Sequence, residues 1–211
     1  MDVISYFIYS FISLFVIVSP IGVLITFISL TSTMTVQEKN QIAKKSVFLA
    51  CLMCLFFAIT GDGILDFFGI NVDSLRVAGG ILLFKIAFDM MLAHVSRESI
   101  TEGEINESMN REDIWIFPIA MPMMTGPGTI TTVILLSGSS ESVFQQLAVI
   151  FAILLTFLAC FLILFFSRRV YKLIGYSGTL VISRLLGLFL AALAVDFITK
   201  GIWNIYTGFM N

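Results

Sequence analysis

Met124-Thr125-Gly126-Pro127-Gly128-Thr129 lies in the middle of one long apolar run, and Ser19-Pro20-Ile21-Gly22 lies in the middle of another. Proline removes a backbone donor and clashes with the preceding turn, and glycine adds slack, so each stretch should interrupt a helix. In hydrocarbon, backbone groups freed in this way are tolerated only where protein or a water-filled cavity receives them. Two such interruptions in matching places point to a binding site near the bilayer centre of a transporter.

The setting is a membrane. Hydrophobic residues make up 58% of the chain and charged ones only 12%, about half the charge of an ordinary soluble domain. Mean hydropathy is +1.01. The apolar runs are long and do not alternate, which predicts helices rather than a barrel. A net charge of -2 argues against a nucleic-acid partner and leaves membrane lipid as the expected surroundings. The first apolar run has no basic leader and exceeds a signal-peptide core, so it is expected to stay as a span.

Six apolar segments are expected, at 3–30, 42–65, 73–95, 114–136, 144–167 and 182–206. A span needs about 20 residues, and the length of the first suits a tilted or broken helix. If the connections alternate sides, one side gathers Lys39, Lys44, Lys45, Arg97, Arg111, Arg168, Arg169, Lys172 and Arg184, and the other only Arg76 and Lys200. The basic side should be cytoplasmic, with both termini on the opposite side.

The polar stretch 96–113 carries Glu98, Glu102, Glu104, Glu107, Glu112 and Asp113 and reads as a solvated cytoplasmic linker. It divides the chain into halves, 1–95 and 114–211, that echo each other. Pro20 and Pro127 are offset by 107, Gln41-Ile42-Ala43 and Gln146-Leu147-Ala148 by 105, Gly69 and Gly175 by 106, and Arg76-x-x-Gly79 and Arg184-x-x-Gly187 by 108. Chance matches would scatter; these keep a nearly constant offset. With three spans per half, the second half enters from the opposite side. The expected fold is an all-α integral membrane protein of six transmembrane helices, two inverted three-helix repeats with broken first and fourth helices.

A helix restarting after Gly22 or Gly128 would present unpaired N–H groups. Such a terminus carries roughly half a positive charge and favours an anion such as a carboxylate. The candidate substrate-binding residues are therefore Ser19, Pro20, Ile21, Gly22, Thr125, Gly126, Pro127, Gly128 and Thr129. Charges inside a membrane are expensive, which makes Asp89 and Asp196 candidates for proton or cation coupling. Each also has a lysine four residues away, Lys85 and Lys200, so a structural pair along one helix is the competing reading.

Other features read blandly. Cys51, Cys54 and Cys160 have apolar flanks and should be buried hydrophobes, and His94 has no companion ligands, so no metal or cofactor is expected. Gly61-Asp62-Gly63 reads as a turn at the membrane interface. Small residues in the third and sixth segments, among them Gly79, Gly80, Gly187 and Ala194, should let helices pack closely. The sequence holds no nucleotide-binding P-loop and no catalytic constellation, so the chain is not expected to be an enzyme.

Several stretches together resemble the MarC family of bacterial and archaeal inner-membrane proteins, which includes SnatA-type small neutral amino acid transporters. They are Ser19-Pro20-Ile21-Gly22, Gly69-Ile70, Leu75-Arg76-Val77-Ala78-Gly79-Gly80-Ile81-Leu82, Pro118-x-Ala120-x-Pro122, Thr125-Gly126-Pro127-Gly128-Thr129-Ile130, and Arg184-Leu185-Leu186-Gly187-Leu188 running on to Gly201-Ile202. The resemblance implies a bacterial cytoplasmic membrane location and transport of glycine- or alanine-like substrates around Pro20 and Pro127. Ser19 stands where members of that family often carry Asn or Asp, which removes an amide or carboxylate from the implied site. The expected activity is secondary transport of small neutral amino acids by alternating access, coupled to a proton or sodium gradient. The alternatives are an uncoupled channel or small-solute exporter, and a non-transporting membrane scaffold.

Overall fold

A computed structural model describes residues 1–92 and 113–210. The expectations for His94, for Arg97 and Arg111 and for most of the acidic linker lie outside the described residues. Among those described there are seven α-helices, one stretch of π-type turns and no strand. In chain order they are α1 (Val3–Val18), α2 (Pro20–Leu30), α3 (Val36–Phe68), α4 (Val72–Met91), the π-type α5 (Trp115–Met124), α6 (Pro127–Gly138), α7 (Val143–Phe165) and α8 (Ser167–Met210).

Four stretches are long and apolar enough to cross a membrane: Val3–Leu30, Val36–Phe68, Val143–Phe165 and Ser167–Met210. The bent pair of α5 and α6 makes a fifth when taken as one span. The expected third span is a 20-residue helix, α4, but Asp73, Arg76, Lys85 and Asp89 lower its apolar character.

Local chemistry fixes the helix ends. Thr35 and Glu38 form a reciprocal capping box at the start of α3, and the side chain of Asn71 accepts from the amide of Asp73 at 2.8 Å to open α4. Ser142 caps α7 in the same way. Gly69 closes α3 in the left-handed region at φ 65, with the amide of Ile70 donating to Leu65 O at 2.9 Å. No turn forms at Gly61-Asp62-Gly63. The helix runs through it, because Gly61 accepts the side chain of Ile134 from α6 and the Asp62 carboxylate fills the space over Gly138.

The sixth segment is also longer than expected. Only Phe166 separates α7 from α8, and residues 167–181, polar enough to be left outside a span, are helical. Gly175, at φ 69 and ψ 175, turns the chain within α8.

The helices pack mainly across the two halves of the chain. α1 lies on α7, α3 on α5, α6 and α7, and α4 on α6 and α8. Phe27, Leu14, Leu24, Leu83, Ile119, Met124 and Ile153 are fully buried between them. Phe48, Leu52, Phe56 and Ile59 form an uncovered apolar stripe along α3. Both ends of the described chain lie together: Met1 and Asn204 line one cavity, and Asn204 donates to Asp73 at the start of α4 at 3.0 Å. Lys39, Lys44 and Lys45 begin α3 at the opposite end, where Lys45 sits 5.5 Å from the centre of the Trp115 ring.

The α4–α8 contact is the closest. A methyl group added to Gly80, Gly187 or Gly201 would stand 2.9, 3.0 or 2.9 Å from the carbonyl oxygens of Ala194, Ala87 or Asp73, respectively. Backbone faces backbone there, as the small residues of the third and sixth segments predict. Gly201→Ala should therefore cost about 1–3 kcal/mol through overpacking. Gly208→Ala, where nothing lies within 4 Å, should leave the unfolding temperature in detergent nearly unchanged.

Candidate substrate site at the two helix breaks

The first break falls at Ser19. The α1 ladder ends with the Ser19 amide donating to Phe15 O at 3.1 Å, and it resumes with the Val23 amide donating to Ser19 O at 3.1 Å. Pro20 takes the first position of α2, where a missing N–H is harmless and φ is already helical. The restart is thus at Pro20 rather than after Gly22. The amides of Ile21 and Gly22 are the first-turn donors that the ladder leaves over. Ser19 sits at φ 46 and ψ 65, the one non-glycine residue with positive φ among the described residues.

The second break is longer. Phe117 and Met121 are extended within α5, so the helical ladder is already disturbed before Thr125. Thr125 folds back: its amide and its Oγ1 both donate to Ala120 O, at 3.0 and 2.8 Å. Gly126 is extended, Pro127 opens α6, and the ladder resumes with Ile130 N–H to Gly126 O at 3.0 Å. The amides of Gly128 and Thr129 are left over in the same way, and the restart is at Pro127 rather than after Gly128. The bend between α5 and α6 is 54°. Neither α2 nor α6 has a side-chain cap.

The two breaks are neighbours. A methyl group on Gly128 would lie 3.3 Å from Cδ1 of Ile17, two residues before Ser19, and 2.9 and 3.2 Å from Ile86 and Leu83 of α4. That side of Gly128 is closed by aliphatic packing. Pro20, Ile21, Thr125, Gly128 and Thr129 are buried, whereas Ser19, Gly22 and Gly126 are half-buried and Pro127 is exposed. On α2 the open residues Ser19, Gly22, Thr26 and Ser29 recur at helical spacing, a small and polar stripe leading away from the break.

The two acids do not meet. α4 and α8 run antiparallel, with Gly80 against Ala194 and Ile198, and Gly187 against Ala87 and Met90. Asp196 therefore lies level with Gly80, and Asp89 nine residues further along α4, about 14 Å away at the helical rise. Asp196 accepts from Lys200 Nζ at 2.8 Å and from the Tyr9 hydroxyl at 3.3 Å, which ties α8 to α1. The pairing along one helix holds for Asp196 and Lys200. Asp89 lies one turn beyond Ile86 and Asp196 is level with a residue one turn before Leu83; both Ile86 and Leu83 pack on Gly128, so the two acids flank the second break along α4.

The MarC family integral membrane proteins match this chain over residues 4–206. A UPF0056 membrane protein of Archaeoglobus fulgidus is 37% identical over 94% of this chain and 92% of its own length. The UPF0056 membrane proteins YhcE of Escherichia coli and YvbG of Bacillus subtilis are each 36% identical, over 95% and 96% of this chain and 94% and 96% of theirs. The chain belongs to the MarC family of integral membrane proteins. No solved structure matches it. It is thus a multi-pass helical membrane protein, and the uncovered stripe on α3 of this MarC protein faces hydrocarbon.

Sequence reasoning did not anticipate the polar cluster at the end that holds both termini. Arg76 bridges Asp73 at 2.6 Å and the Ser139 hydroxyl at 2.5 Å, and the Tyr6 hydroxyl donates to Leu136 O at 2.5 Å, both at the C-terminal end of α6. The only signal was Arg76 itself, a basic residue on the basic-poor side.

In this MarC protein the left-handed Ser19 stores about 1–2 kcal/mol of backbone strain. Ser19→Gly should raise the unfolding temperature or leave it unchanged, and Ser19→Val should lower it. Gly126→Ala would place its methyl 2.6 Å from Pro122 O and should lose about 2–3 kcal/mol, read by thermal unfolding in detergent.

Proposed function

We propose that this MarC protein is a secondary transporter of small neutral amino acids, SnatA-type in its preference for glycine and alanine, working by alternating access around the two breaks. One observation carries the reading: two uncapped helix N-termini, each opened by proline, adjoin within the packed bundle and each leaves two amides outside the helical ladder. Their partial positive charges suit a substrate carboxylate. The aliphatic wall of Ile17, Leu83 and Ile86 around Gly128 leaves little room for a side chain, which favours the smallest amino acids.

The six-span, inverted-repeat arrangement belongs to this proposal and has support in the packing. α1 packs on α7 as α5 packs on α3, α6 packs on α3 as α2 packs on α7, and α4 packs on α6 as α8 packs on α2. The remaining large contacts, α3 on α7 and α4 on α8, each join a helix to its own counterpart. Gly69 and Gly175 share a positive φ of 65 and 69. By the distribution of Lys and Arg we place the basic end in the cytoplasm and both termini outside, and by the family resemblance we place the chain in a bacterial cytoplasmic membrane.

The decisive assay is uptake of labelled glycine and alanine into proteoliposomes under imposed proton or sodium gradients. Flux above that of empty liposomes, with counterflow of labelled substrate, is expected; equal flux from a folded preparation overturns the proposal. Asp89 and Asp196 are the two candidate coupling acids, and loss of gradient dependence in Asp89→Asn or in Asp196→Asn is expected to mark the one that carries it.

A further inference from the structure

At the end of the bundle that holds both termini, a cavity of about 450 Å³ opens among α1, α4, α6, α7 and α8. Its walls include Arg76, Lys200 and Glu141, and Tyr6, Tyr9 and Phe197 give it an aromatic side. It is separate from the breaks. Tyr9 precedes Ser19 by ten residues and Leu136, also on its wall, follows Pro127 by nine, so about 14–15 Å of helix lies between.

Charge decides what fits. Arg76 and Lys200 bring two positive charges into the lining, and Glu141 brings one negative. Behind the cations stand Asp73, 2.6 Å from Arg76, and Asp196, 2.8 Å from Lys200. Counted with the N-terminal ammonium of Met1, also on the wall, these groups carry no net charge, so a free anion would bring in an unbalanced negative charge. A lone cation would meet the cationic groups on the wall. A molecule with both poles and no net charge avoids both penalties, its carboxylate toward Arg76 and Lys200 and its ammonium toward Glu141. The cavity is several times the volume of glycine or alanine, so it selects for charge and not for side-chain size.

We propose that this cavity is an antechamber that binds the zwitterionic head of α-amino acids before they reach the breaks. The assignment of bound amino acids as substrates in transit rests on the transport reading above; the binding itself does not. Lys200 is the group that makes the site responsive, because a bound carboxylate competes with Asp196 for the same ammonium and leaves Asp196 to the Tyr9 hydroxyl of α1.

Asn204 is exposed and lines the same cavity, so Asn204→Cys supplies a probe. The variant is labelled in detergent, with no gradient, by a charged maleimide that does not enter the apolar surroundings of Cys51, Cys54 and Cys160. Alanine and leucine are expected to slow labelling to similar extents, and propionate and ethylammonium, each carrying one pole, to do so much less. Adding Lys200→Gln or Glu141→Gln, both at exposed positions, should raise the half-protecting alanine concentration about fivefold, the ratio set by about 1 kcal/mol of partly solvated ion pairing. Absence of protection by amino acids, or equal protection by propionate or by ethylammonium, overturns the antechamber even if uptake is found. Protection without uptake leaves the antechamber standing and removes the transport reading.

Discussion

The structure depends on a constraint that water normally hides: inside a bilayer, every peptide N–H needs an acceptor from protein. At Pro20 and Pro127 the helical ladder cannot supply one, and neither restarted helix carries a side-chain cap. The fold surrounds both places with other helices. α1 and α4 wall the second break with Ile17, Leu83 and Ile86, and the first break lies beside it along α1. Polar backbone is thus collected in one part of the bundle, beside aliphatic side chains of α1 and α4.

Much of this was legible because proline and glycine act locally. The positions of both breaks follow from Pro20 and Pro127 alone. The restart points were misplaced by two or three residues: glycine was read as the start of the new helix, whereas proline occupies its first position at no cost in hydrogen bonds. The extent of the second break was not legible, since Pro118 and Pro122 stood out only as elements of a family pattern and not as a source of extended backbone at Phe117 and Met121.

Tertiary packing accounts for the other departures. Gly61-Asp62-Gly63 has the composition of a turn, yet α3 stays helical there because α6 presses Ile134 against one glycine and Gly138 against the aspartate. Residues 167–181 are too polar for a span, and hydropathy cannot reveal that a helix continues through them with one bend at Gly175. Arg76 and Tyr6 serve the end of α6, a role visible only once α1, α4 and α6 meet. Asp89 and Asp196 look alike in sequence, and the antiparallel register of α4 and α8 separates them.

That register has a mechanical side. Where α4 and α8 touch, carbonyl groups of one helix approach glycines of the other with Ile198, Met90 and Val77 packed beside them, so a slip of one helix along the other would have to move backbone and side chains together. The two helices therefore behave as one beam, tied at its end by Asn204 and Asp73. The interruptions at Ser19 and Gly126 lie on other helices, so bending there would leave the beam as it is.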